Sequence, residues 1–190
     1  MTLPPGAEVA VVGAGAMGTG IAQVAAQAGH QVHVFDTRMG AADAAQEQIR
    51  ETLRKLASKG KLDASEAEAA AARVVPVHAL GDLVSARLVV EAIVEDIDVK
   101  RKMFRDLEVV VAQDAVLASN TSSFSITSLA AGMKHASRIV GMHFFNPAPI
   151  LPLVEVVSGL ATDRAVAELV YDTARAWGKI PAQCRINATS

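Results

Sequence analysis

Short apolar runs alternate along the chain with longer stretches whose apolar residues recur every three or four positions. The first run is Val9–Val12, and Ile21, Val24, Ala25 and Ala28 then follow at helical spacing up to Gly29, a helix C-cap. A second run, Val32–Phe35, closes on Asp36. Over residues 37–60 the stripe Ala44, Ile49, Leu53 and Leu56 predicts a long helix capped by Asp36 or Thr37. Residues 62–72 predict another helix, capped at Asp63. Strands are predicted at 73–76 and 88–92, and then a helix at 97–113 with Val99, Met103, Leu107, Val110 and Val111 facing inward. A strand at 115–118, a short helix at 126–131 and strands at 138–143 and 151–157 come next. A helix at 163–178, capped by Thr162 or Asp163 and stopped by Gly178, leads to a last strand at 179–185. Residues 186–190 follow neither period and form a tail without predicted structure.

The element order is β-α-β-α-α-β-β-α-β-α-β-β-α-β. Strands that are apolar almost throughout are buried on both faces, as a parallel sheet requires. The fold class is therefore α/β, a Rossmann-type doubly wound, mostly parallel sheet with helices on both faces. No repeat, low-complexity segment or Pro/Gly-rich linker divides the chain, so residues 1–185 are read as one domain. Its 190 residues suit a single core.

The chemistry collects where strands end. After Val12 the chain turns through Gly13-Ala14-Gly15-Ala16-Met17-Gly18, a GxGxxG pattern between strand and helix. Gly13 permits a tight turn, Gly15 lets backbone approach a pyrophosphate, and Gly18 lets the helix pack near the strand. The helix N-terminus then offers free N–H groups to phosphate. Asp36 stands about twenty residues on, where an acid accepts from ribose hydroxyls. That favours NAD over NADP, while Arg38 leaves NADP open. Ala92, Ile93 and Glu95, at and just past the end of the 88–92 strand, are cofactor-contact candidates, because ligands sit past the carboxyl ends of such strands. Ser119-Asn120-Thr121-Ser122-Ser123 occupies the same place after the next strand. In 151–157 a lone acid, Glu155, interrupts an apolar strand and needs a partner, for which an imidazole is reasonable.

Composition narrows the partners. Hydrophobic residues make up 51% and charged residues 20%, with a formal net charge of −2. That is a globular composition with no electrostatic footprint for nucleic acid. Cys184 alone permits no internal disulfide. The first residues do not resemble a signal peptide and no apolar run is long enough for a membrane span, so a cytoplasmic protein is expected. No His, Cys, Asp or Glu cluster has metal-ligand spacing. Arg54, Lys55, Lys59 and Lys61 form a basic cluster that spacing alone reads as a solvated helix end, with a phosphate anchor as the alternative.

The glycine turn, Val90-Glu91-Ala92-Ile93-Val94-Glu95, Ser119-Asn120-Thr121-Ser122-Ser123, Gly141-Met142-His143-Phe144-Phe145-Asn146-Pro147 and Leu153-Val154-Glu155-Val156-Val157 occur in this order. Together they make the chain resemble the 3-hydroxyacyl-CoA dehydrogenases, nearest the 3-hydroxyadipyl-CoA and 3-hydroxybutyryl-CoA branch. The resemblance implies NAD-dependent oxidation of (3S)-3-hydroxyacyl-CoA to 3-oxoacyl-CoA, in fatty-acid or phenylacetate-type degradation. It makes His143 the general base, Glu155 its paired carboxylate and Ser122 a hydrogen-bond partner of the substrate oxygen. It places NAD against Glu95, Lys100, Ser122 and Asn146, besides Gly13, Gly15, Ala16, Met17, Gly18, Asp36, Ala92, Ile93 and Asn120. It assigns Thr52 and Lys59 to CoA, which moves Lys59 toward the phosphate-anchor reading. His30, His33, His78 and His135 are read as structural or exposed, Ser123 and Ser125 as cap or turn residues, and Cys184 as inert.

Members of that family continue with a helical domain that closes over the substrate and forms a homodimer. Here the chain reads Ile186-Asn187-Ala188-Thr189-Ser190, with Asn187 away from the family's asparagine position. A truncated chain or partial gene product is expected, keeping the NAD site and the His–Glu pair. It would expose apolar surface and be prone to self-association. The alternative is an NAD-binding or structural module on the same fold without turnover. Another Rossmann dehydrogenase, for a 2-hydroxy acid or sugar acid, is disfavoured by the 141–147 motif.

Overall fold

The computed structural model describes residues 1–185; the expected tail and Asn187 lie outside the described residues. Eight strands form one sheet in the order β3-β2-β1-β4-β5-β6-β7-β8. They are β1 (Val9–Val12), β2 (Val32–Phe35), β3 (Val74–Val77), β4 (Leu88–Glu91), β5 (Val116–Ser119), β6 (Ile139–Phe144), β7 (Leu153–Ser158) and β8 (Ile180–Arg185). β1 to β6 are mutually parallel, β7 is antiparallel to β6, and β8 is parallel to β7. The predicted α/β architecture and element order both hold. Strand order reverses at β1, between β2 and β4, and the crevice there is the ligand site of doubly wound sheets.

Side-chain alternation along β1 divides the core in two. Val9 and Val11 pack toward α1 (Ala16–Gln27), α2 (Ala41–Ser58), α3 (Ala64–Ala72) and α6 (Arg164–Ala176). Ala10 and Val12 pack toward α4 (Ile97–Val110) and α5 (Ile126–Ala130). Helices therefore cover both faces, and the central strands β1, β4 and β5 are buried along their whole length.

Two helices depart from the sequence reading. The helix expected over 37–60 begins at Ala41, and Gly40 at φ +76° is its N-cap. Neither Asp36 nor Thr37 caps it, because the Asp36 carboxylate is engaged by Ala14 and Arg38. In α4 the buried face is Lys100, Phe104 and Leu107, and Val99 is 44% exposed. Hydrophobic spacing puts Val99 inside, but the buried acid Glu91 draws in Lys100 instead, as their bond shows. Leu107 and Val111 are buried as expected, and Met103 and Val110 are partly buried against the core. The other ends agree more closely. Asp63 caps α3 through Ser65 N–H, Asp163 caps α6 through Ala165 N–H, and Gly29 and Gly178 follow α1 and α6 in left-handed conformation.

Candidate active site

The turn after β1 is built as its glycines suggest. Gly13 has φ +106°, and a Cβ there would stand 2.4 Å from the Ala92 carbonyl oxygen. A Cβ on Gly18 would lie 1.7 Å from the Gly13 carbonyl oxygen, so α1 crosses β1 at backbone contact. A Cβ on Gly15 would meet nothing within 4 Å and would intrude on open space. No side chain caps α1, which leaves the N–H groups of its first turn available. These features frame a cleft of about 580 Å³ lined by Gly13, Gly15, Met17, Asp36, Arg38 and Ile93 among others. A bare backbone floor, free amides and one acid fit a dinucleotide's pyrophosphate and ribose.

Asp36 is not the free acceptor the sequence suggests. Its Oδ2 accepts from Ala14 N–H at 2.8 Å and Arg38 Nη2 at 2.9 Å, and its Oδ1 accepts from Arg38 N–H and Nε. Burial works against its charge, but the Arg38 and Ala14 bonds outweigh it and hold the carboxyl below its ordinary range.

A second cleft of about 320 Å³ shares Met17, Ala92 and Ile93 with the first and adds Glu95, Lys100, Asn120, Ser122, His143, Phe145 and Asn146. A third, of about 290 Å³, lies across His143 and is lined by Ser122, Ser123, Phe124, Glu155 and Val157. His143 and Ser122 border both. The three clefts form a continuous line of neighbours from Arg38 to Glu155.

The antiparallel step from β6 to β7 sets His143 directly opposite Glu155 in register. His143 Nδ1 lies 2.9 Å from Glu155 Oε2, and the Phe145 ring packs on the imidazole at 4.5 Å between centroids. The Glu155 side chain is 36% exposed rather than buried, which corrects the expectation of a buried acid. Glu155 lines the open third cleft, where water reaches it. Asn120 Oδ1 accepts from Phe144 N–H at 2.8 Å and ties the β5 end to β6. Beyond Asn146, Lys179 Nζ donates to the carbonyls of Ala148 and Leu151, and burial pushes its pKa down. Glu95 accepts from Thr121 and pairs with Lys100 at 3.1 Å. Burial opposes its ionisation, but these bonds prevail and hold its carboxyl below the usual range.

Thr52 and Lys59 are not drawn into this line. Thr52 donates to Gln48 O on the exposed side of α2, Lys59 is its exposed C-cap, and neither borders the three clefts. Ser125 caps α5, and Ser123 N–H donates to Thr121 Oγ1, as turn residues do. His30 contacts Ala7 O, His33 and His78 each lie 3.8 Å from an acid, and Cys184 is a free strand residue. Sequence reasoning missed Glu91, taken as part of an apolar strand. Its signal was an acid closing a doubly buried strand, nine positions before a lysine. Among the described residues no group of three His, Cys, Asp or Glu side chains is placed to hold a metal, and no helix is long and apolar enough to cross a membrane.

The family model described as "3-hydroxyacyl-CoA dehydrogenase, NAD binding domain" matches residues 8–187, nearly the whole chain. The chain belongs to the 3-hydroxyacyl-CoA dehydrogenase family. Within that family it is 45% identical to the 3-hydroxyadipyl-CoA dehydrogenase of Escherichia coli K12, over 93% of this chain and 37% of that protein. It is 47% identical to a 3-hydroxybutyryl-CoA dehydrogenase of Mycobacterium tuberculosis, over 84% of this chain and 56% of that protein. The crystal structure of an Escherichia coli 3-hydroxybutyryl-CoA dehydrogenase superposes with a TM-score of 0.92 at 44% identity, covering 94% of this chain and 38% of that one. The chain thus spans between about a third and somewhat over half of the length of these dehydrogenases. What it matches in them is the NAD-binding domain.

Proposed function

We propose that this chain is the cofactor-binding and proton-transfer half of an NAD-dependent (3S)-3-hydroxyacyl-CoA dehydrogenase. The observation that carries the reading is the His143–Glu155 pair at 2.9 Å, on the border between the clefts. On this reading Gly13, Gly15, Ala16, Met17, Gly18 and Asp36 hold the adenosine and pyrophosphate half of NAD. Ala92, Ile93, Glu95, Lys100, Asn120, Ser122 and Asn146 hold the nicotinamide half. Bound NAD supplies the hydride acceptor that oxidation of an alcohol requires.

The chain's own residues handle the proton. With Nδ1–H donated to Glu155, the His143 Nε2 lone pair is free to take the proton from the substrate's 3-hydroxyl. Glu155 fixes that tautomer and stabilises the imidazolium that results. Ser122 donates to the substrate oxygen from the third cleft. In reduction, the same imidazolium returns the proton to the 3-keto oxygen. Thr52 and Lys59 lie apart from the pair, and the reading gives them the distant CoA moiety. It places a helical dimerisation domain in the further length of the relatives, the whole protein acting in the cytoplasm on acyl-CoA from fatty-acid or phenylacetate-type degradation.

The test follows NADH absorbance with acetoacetyl-CoA, in this chain and in a full-length relative carrying the same pair. His143→Ala is expected to lower kcat by about 10²–10⁴-fold, the range of a lost general acid–base, with NADH affinity unchanged. Wild-type turnover that survives the substitution removes the assignment. NADH binding without turnover in both proteins favours a binding module instead.

A further inference from the structure

Glu91, the last residue of β4, is fully buried, and its carboxylate takes donors from α4, from β5 and from the loop that follows β4. Oε1 accepts from Ile93 N–H at 2.8 Å and from Lys100 Nζ at 2.6 Å, and Oε2 accepts from Ser119 Oγ at 2.7 Å. Its backbone carbonyl accepts from Asn120 N–H at 2.8 Å. Lys100 is only 1% exposed, and its second partner is Glu95. Each tie ends on or beside a group that lines the second cleft: Ile93, Lys100 and Asn120 border it, and Ser119 precedes Asn120.

An ion pair buried this deeply is a poor way to fill space. Removing two charges from water is expensive, and apolar side chains of similar volume stabilise a core at least as well. Glu91 does what an apolar residue cannot. A lysine ends in a mobile ammonium on a flexible stem, and the Glu91 carboxylate fixes that ammonium from below. It also orients the Ile93 amide and joins the ends of β4 and β5. Of the groups that Glu91 ties, only Ile93 also borders the first cleft, where it adjoins the second; Gly15, Asp36 and Arg38, at the first cleft's far end, take no bond from Glu91.

We propose that Glu91 is a positioning residue that preorganises the nicotinamide-ribose half of the cofactor cleft, acting through Lys100 and the Ile93 amide. The proposal rests on the NAD reading above and adds to it a division of labour between the two clefts. It predicts that disturbing Glu91 weakens one half of the cofactor's grip and spares the other.

The experiment measures NADH and ADP affinity by calorimetry for wild type and Glu91→Gln, with melting and circular dichroism on both. ADP lacks both the nicotinamide and its ribose and reports on the adenosine-diphosphate end of the site. In Glu91→Gln the NADH affinity is expected to fall about tenfold, the scale of one charge-assisted hydrogen bond, with ADP affinity unchanged. Fluorescence of bound NADH should shift toward that of the free cofactor. Equal losses for both ligands, or no loss for either, overturn the proposal and leave the NAD reading standing. Wild type that binds the two ligands equally well also overturns it, and wild type that binds neither removes the NAD reading and the proposal together. If Glu91→Gln does not fold, Ser119→Ala removes a single donor and leaves the charges paired. A smaller loss confined to NADH is then expected, and its absence overturns the proposal.

Discussion

Lys100 shows how far a neighbour can reverse a residue's preference. Its ammonium is held between Glu91 and Glu95 with the side chain 1% exposed. Lys100→Met would leave Glu91 buried without its cation and is expected to destabilise the fold by about 3–5 kcal/mol, read from the midpoint of a urea titration. At this scale the sequence is legible where one residue type does one job. Gly13, Gly15 and Gly18 stand where a Cβ would strike backbone or enter the cleft, and the lone strand acid Glu155 does find the imidazole of His143. It is illegible where a role depends on neighbours distant in the chain. The bonds of Asp36 to Ala14, the Glu91 network and the exposure of Glu155 all belong to that class.

Elements were recovered better than their ends. The order of strands and helices follows from the two hydrophobic periods, but Gly40 starts α2 several residues later than the apolar stripe suggests. The period-3.6 reading of the fourth helix holds for Leu107 and Val111, with Met103 and Val110 partly buried, and fails at Val99, since it ranks valine above lysine wherever a helix meets a core. The tightest joint between elements is α1 on β1. Gly18→Ala forces a methyl group into the Gly13 carbonyl and is expected to lower stability by about 1–3 kcal/mol or more and to displace the free amides of α1. Thermal melting in parallel with NADH titration checks this, with both quantities falling together.

The whole molecule carries a pH signature. Asp36 and Glu95 have folded-state pKa values below those of the free side chains, so their contribution is complete above about pH 4.5 and is lost as pH falls through the folded values. His30 is buried against Ala7 O and Trp177, and burial lowers its pKa below 6.5. The unfolded chain therefore takes up that proton first, and stability declines as pH drops below about 6.5. Melting temperature against pH is expected to show a shallow fall from about pH 6.5 that His30→Gln removes, and a steeper one below about pH 4.5 that it does not. Parallel and antiparallel pairing in the sheet also followed from sequence pattern only in part; the reversal at β7 became visible in the strand register. That reversal has a consequence for how relatives can diverge. Because the imidazole and its carboxylate are rungs of one ladder, residues can be gained or lost in the connection between Phe144 and Leu153 without separating them. A single residue gained or lost inside either strand would turn one partner to the opposite side of the sheet, so drift in length is confined to the loop.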